Sequence, residues 1–265
     1  MISIKLMGGL GNVMFQIATI EYLGKAFNMD VTYTNVDAWI EDLKDNYFWS
    51  RHAEDYLTIF PNLNLYKNHD KRFVAKRRAD VVFRYRALEP EDGDLFIAYF
   101  QSEQNFGDRA FVFNLFQPSD YIKEKVATYD NMFGGTTCSI HVRRCAYLNW
   151  QEFHPALDIE YYNKAIKILA PLKIDRFLVF GDSIDWCRNN FHGDKFVFIK
   201  DVDYVDLFLM AKCEHHIISN SSLAWWGAWL GEKTGSKIIA PVKWFGKCLP
   251  EDYDGDIIPG RWEKL

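Results

Sequence analysis

Two adjacent arginines, Arg143 and Arg144, close an apolar-alternating run, CSIHVRR, that begins at Cys138. Read as a strand, its period of two puts Ser139, His141 and Arg143 on one face and Ile140, Val142 and Arg144 on the other. A guanidinium pair at the carboxyl end of a buried strand costs too much desolvation to stand idle. Its partner is either one of the 36 acids, in a structural salt bridge, or a diphosphate held in a bidentate clamp. A second cluster favours the clamp. The run HHIIS leads into Asn220, Ser221 and Ser222, followed by Trp225, Trp226 and Trp229 at helical spacing. A helix starting there offers free N–H groups, the positive end of its dipole and two hydroxyls to an anion. An ordinary N-cap accounts for one serine but less well for all three polar residues. The tryptophans read as core rather than as a stacking platform.

Weaker signals sit elsewhere. GGLGN places Gly9 and Gly11 between a strand and a helix, but the dinucleotide fingerprint needs a third glycine where Met14 stands. The segment reads as a tight turn or as a loop approaching a phosphate or sugar, with Asn12 supplying an amide. Asp182, in GDS, is a helix cap or an acceptor for a ribose hydroxyl or base N–H. Asp201 and Asp203 form a D-x-D pair that could hold a cation, but acids before a helix are expected for dipole reasons, so no metal is expected.

These residues need strands and helices to position them. Short apolar runs at MISIKLM, VTYTN, DLFIAYF, TCSIHVRR, RFLVF, FVFIK, HHIISN and SKIIAP alternate with helical patterns, which indicates parallel sheets. The alternation occurs as two sets, so an α/β fold of two Rossmann-like domains is expected, 1–125 and 126–265. The basic stretch 71–86 reads as a solvated helix face, with peripheral membrane contact or docking of an acidic partner as the other use.

With 265 residues and 49% hydrophobic side chains, the chain can build ample core. A net charge of −5 argues against nucleic-acid binding by bulk electrostatics. Five cysteines without a C-x-x-C pair read as reduced thiols, with zinc not expected and a cytoplasmic location implied. No secretory leader or transmembrane segment is evident.

The motifs together resemble the alpha-1,2-fucosyltransferases of glycosyltransferase family 11. GGLGNVMFQ, YFQSEQNF, HVRR, HPALDIEYYNKA, FGDSIDWCR and DLFLMAKCEHHIISNSSLAWWGAWL carry the likeness across nearly the whole chain. The resemblance implies a GT-B fold with a crevice between its domains and no required metal. It implies transfer of L-fucose from GDP-fucose, with inversion, to a glycan acceptor, at the 2-OH of galactose. Arg143 would contact the diphosphate and stabilise departing GDP, with His141 and Arg144 shaping the pocket. Asn220, Ser221 and Ser222 would hold phosphates, Gly9, Gly11 and Asn12 would close from the other domain, and Asp182 and Asp206 would lie near the nucleoside. An arginine and preorganised N–H groups then stabilise leaving-group charge without a cation.

The chain departs from the family pattern directly after the arginines. Cys145 and Ala146 stand where the family has Gly and Asp, and Val13 replaces a glutamine. If the missing carboxylate took the acceptor proton, Glu152 or Asp158 must serve, with Glu152 favoured. Two alternatives follow: a GDP-binding protein that no longer catalyses, and a transferase of another GDP-6-deoxyhexose such as GDP-rhamnose. A nicotinamide oxidoreductase rests on the glycine segment alone, against Met14.

Overall fold

The computed structural model describes residues 1–44, 58–63, 65, 74–80, 85–145, 147–249 and 255–265. They divide into two compact units, Met1–Ile122 and Lys123–Leu265.

The first unit runs β1 (Ile2–Ile4), α1 (Leu10–Phe27), β2 (Val31–Tyr33), α2 (Val36–Lys44), β3 (Arg77–Asp80), β4 (Asp94–Ile97) and α3 (Arg109–Leu115), and α4 (Asp120–Ala127) carries the boundary. Its sheet has the order β2-β1-β4-β3, parallel throughout. Ile2 and Ile4 are fully buried, and so are Met14, Phe15, Ala18 and Ile20 on α1, so strand and helix bury their apolar positions in one core. The helix starts earlier than the sequence suggests. Gly9 is its N-cap, and Asn12 N and Val13 N both donate to Gly9 O, which puts Gly11 and Asn12 in the first turn of α1 rather than in a loop. It ends at Asn28, a residue tolerant of the left-handed conformation seen there at φ 53°.

The expected basic helix over 71–86 is corrected at its centre: Arg77–Asp80 form the edge strand β3, parallel to β4. Charge on an edge strand blunts unwanted pairing, so its composition imitates a solvated helix face. The other parts of that expectation, at 71–73 and 81–84, lie outside the described residues, and membrane contact by the stretch stays an expectation.

The second unit runs β5 (Thr137–Val142), α5 (Ile159–Leu169), β6 (Arg176–Gly181), α6 (Ile184–Asn190), β7 (Phe196–Phe198), α7 (Asp203–Lys212), β8 (His215–Ile217), α8 (Ser222–Gly231), β9 (Ile238–Ala240) and β10 (Glu263–Lys264). The order is β10-β9-β8-β5-β6-β7, again parallel. Every residue of β5 is buried, as befits a strand covered on both faces. Trp225, Trp226 and Trp229 are buried in mutual ring contact, so the tryptophan row is core. Among the described residues no helix is long and apolar enough to cross a membrane.

Candidate functional site

From β5 the chain winds to β6 and β7 on one side, then returns on the other side as β8, β9 and β10. The β5/β8 boundary is therefore the point where strand order reverses, and parallel sheets open a crevice there at the carboxyl ends of their strands. Arg143 and Arg144 follow β5 at this boundary, and Asn220, Ser221 and Ser222 follow β8. His141 Nδ1 lies 2.8 Å from Ser219 Oγ and joins the two strand ends. Burial pushes the His141 pKa down to about 4, the Arg143 charge adding to the shift and Asp182 opposing it, so the ring is neutral at pH 7.

The two arginines, sorted onto opposite faces by the strand period, have different partners. Arg144 lies on the Ile140 and Val142 face: its guanidinium covers the Trp186 ring at 4.3 Å and donates to Leu157 O at 2.5 Å. It braces the protein. Arg143 lies on the His141 face, 3.3 Å from the Asp182 carboxylate and 5.5 Å above the Tyr147 ring, with its side chain 24% exposed.

Asp182 organises the arginine turn. Its carboxylate accepts from Arg144 N at 2.8 Å, Cys145 N at 3.1 Å and Ser183 Oγ at 3.3 Å, besides pairing with Arg143. Gly181 makes this approach feasible. It sits at φ +141°, and a Cβ there would lie 1.9 Å from Val142 O. Cys145 Sγ also donates to Asp182 O at 3.1 Å, so the residue in the family's glycine position is tied to the same turn. Ala146 lies outside the described residues.

Tyr147 and His154 were missed by sequence reasoning, and no periodicity marks them. The Tyr147 hydroxyl donates to Asn220 O at 3.0 Å, linking the arginine turn to the start of α8. His154 stacks on the Tyr147 ring at 4.7 Å and 13°. Burial first, and the Arg143 charge second, lower the His154 pKa to about 4, so a neutral ring supports the one beneath the guanidinium.

At α8, Asn220 requires a correction. Its amide Nδ2 donates to Pro155 O at 3.1 Å and Trp244 O at 3.0 Å, so it ties loops together instead of offering a donor to phosphate. Ser221 occupies the N-cap position, yet its side chain makes no capping bond. The ordinary N-cap reading therefore fails for Ser221, and Ser222 opens the helix beside it. The first-turn N–H groups of α8 have no intrahelical acceptors by helix geometry.

Asp206 is buried in the first turn of α7, past the edge strand β7, and its Oδ1 has no hydrogen-bond partner. Burial, then the neighbouring Asp201 and Asp203 charges, holds its carboxyl well above the usual range. Asp201 accepts from Tyr129 OH at 2.7 Å and Val202 N at 2.8 Å. Asp158 N-caps α5 by accepting from Tyr161 N at 3.2 Å. Glu152 is exposed in the turn at 151–153, and its carbonyl accepts from Cys248 N. Gly9, Gly11 and Asn12 belong to the first unit.

Residues 1–247 match the description of glycosyl transferase family 11. The chain belongs to this family. Its relatives include the O-antigen biosynthesis glycosyltransferase WbnK of Escherichia coli, 30% identical over 177 residues, a match spanning 60% of this chain and 57% of WbnK. This chain thus spans little more than half of WbnK. The alpha-1,2-colitosyltransferase of Escherichia coli is 27% identical, with 98% of this chain and 97% of that protein covered. Among solved structures, the fucosyltransferase NodZ from Bradyrhizobium superposes with a TM-score of 0.57 at 13% identity, covering 85% of this chain and 90% of NodZ. The likeness assigns the GT-B fold.

Proposed function

We propose that this family 11 member moves L-fucose from GDP-fucose to a glycan hydroxyl, the 2-OH of galactose, with inversion and without a metal. The observation that carries the reading is the pairing, at the β5/β8 reversal, of a preorganised Arg143 with an α8 terminus whose serine is not spent on capping. Such a terminus and a guanidinium fit a diphosphate. The acceptor oxygen forms its bond to the anomeric carbon as the carbon–oxygen bond to phosphate breaks, and GDP leaves with the electron pair. Arg143 and the α8 N–H groups stabilise that growing negative charge. The acceptor proton passes to a base. With Asp158 committed to capping α5, Glu152 keeps that role in the proposal. His141 and Ser222 line the same pocket, Asp206 faces the nucleoside, and Gly9, Gly11 and Asn12 contact the donor.

The full-length relative named an alpha-1,2-colitosyltransferase supports a second reading, in which the donor carries a different deoxy sugar on GDP. One experiment separates them: GDP release is followed with GDP-fucose, GDP-rhamnose and GDP-colitose against a panel of β-galactosides. Preferred turnover of GDP-fucose is expected. Binding of GDP without transfer from any donor would leave a non-catalytic GDP-binding protein.

A further inference from the structure

The first unit has a strand-order reversal of its own. From β1 the chain winds to β2 on one side, whereas β4 pairs with β1 on the other, so the carboxyl ends of β1 and β4 flank the equivalent crevice. The contact that spans this boundary is between two amides: Gln101 Nε2 donates to Asn12 Oδ1 at 2.7 Å. Gln101 is only 5% exposed, and its Oε1 is buried with no hydrogen-bond partner. Buried polar atoms are nearly always paired, so the exception needs a cause. The same unit gives both polar atoms of its other buried glutamine a partner: Gln16 accepts from Met7 N at 3.0 Å and donates to Met7 O at 3.1 Å.

The backbone around Gln101 is built to hold it. Phe100, a bulky residue that disfavours the left-handed region, sits there at φ +54°. The strained turn is fixed by Asn105, whose amide donates to Phe100 O at 3.1 Å and Ser102 O at 3.2 Å. Strain maintained by surrounding hydrogen bonds is characteristic of binding positions. On the other side Gly8, at φ +76°, leaves room for Asn12: a Cβ there would come within 2.7 Å of its Nδ2.

We infer that Gln101, presented by the strained Phe100 turn and paired with Asn12, is a binding residue for a sugar hydroxyl at the β1/β4 boundary. A neutral amide pair does not balance phosphate charge. A hydroxyl both donates and accepts, so it satisfies the glutamine head in either amide orientation. The hydroxyl belongs to the acceptor glycan or to the donor's pyranose, and in naming sugars the inference rests on the proposed transferase reading.

Gln101→Met keeps the length of the side chain and removes both polar atoms. The expected result is a rise of about tenfold or more in KM for one sugar substrate, acceptor or GDP-sugar, with GDP affinity within about twofold of the wild-type value. The melting temperature should hold or rise, because an unpaired buried atom is gone. The substrate whose KM moves identifies the sugar. Unchanged KM values for both, or a lower melting temperature with GDP affinity and both KM values worsening together, overturns the assignment. Should Gln101→Met not fold, Gln101→Glu is assayed with deoxy analogues of both sugars: a hydroxyl penalty altered about tenfold supports the contact, and identical penalties overturn it. Failure of the wild-type chain to bind GDP, which carries no pyranose, counts against the transferase reading instead.

Discussion

At the scale of single residues, the account turns on how Arg143 is held. Asp182 fixes it from one side and the Tyr147 ring lies under it, with His154 stacked behind. Tyr147→Phe keeps the ring and removes the hydroxyl, with its bond to Asn220 O and its hydrogen bond with Arg143, a loss of about 1 kcal/mol for each, and should lower transfer by about tenfold. Tyr147→Ala also removes the ring, so kcat should fall well beyond the Phe variant while the melting temperature of a folded preparation is compared alongside. Equal effects of the two variants would show that the ring does not position the guanidinium. Part of this arrangement was legible in the sequence. The period of two sorted Arg143 onto the His141 face and Arg144 onto the core face, and the structure keeps that division. The target of Asp182 was not legible. It binds a turn 38 positions earlier in the chain, a tertiary contact that no local pattern encodes. Asn220 misled for a related reason: an amide before a helix reads as a cap or ligand, and only the fold brings Pro155 and Trp244 to it.

At the scale of elements, the site depends on the ends of neighbouring strands meeting closely. β6 ends on Gly181, whose positive φ and contact with the end of β5 let Asp182 reach the arginine turn. Gly181→Ala would place a methyl group 1.9 Å from Val142 O, so backbone must shift. The expected outcome is loss of transfer by about a hundredfold, or of folding by several kcal/mol, read by thermal melting and GDP release. A variant of wild-type stability and activity would contradict the placement of Asp182. Elements were read well where hydrophobic period was strong, as in β5, β6 and α5. They were misread where composition opposed local conformation: β3 is charged because it is an edge, and the two-residue β10 has no period to detect.

At the scale of the whole molecule, buried histidines set the acid limit. His141, His154 and His216 have folded pKa values lowered to about 4, 4 and 3, with burial the largest cause in each. The unfolded chain therefore takes up protons near the ordinary histidine value while the folded chain does not, so stability declines as pH falls below about 6.5. Asp206 and Glu21, raised by burial, oppose this slope, and His215, lowered by burial, adds to it. Melting temperature should be nearly flat just above pH 6.5 and fall steadily toward pH 4. A rise in melting temperature over that acid range would contradict the neutral, buried rings. Two α/β domains were legible from two sets of alternating strands and helices and the GT-B class from the family resemblance, whereas the two strand-order reversals that locate the sites follow only from the observed pairings.

The most direct measurement is the rate of GDP release from GDP-fucose and a β-galactoside acceptor by Arg143→Ala, set against the wild-type chain at matched folded concentration. The account predicts a loss of about a hundredfold or more, the usual effect of removing a donor aimed at developing negative charge. A rate close to the wild-type value would contradict it, because the half-buried Arg143 guanidinium held at the β5/β8 reversal would then take no part in leaving-group stabilisation.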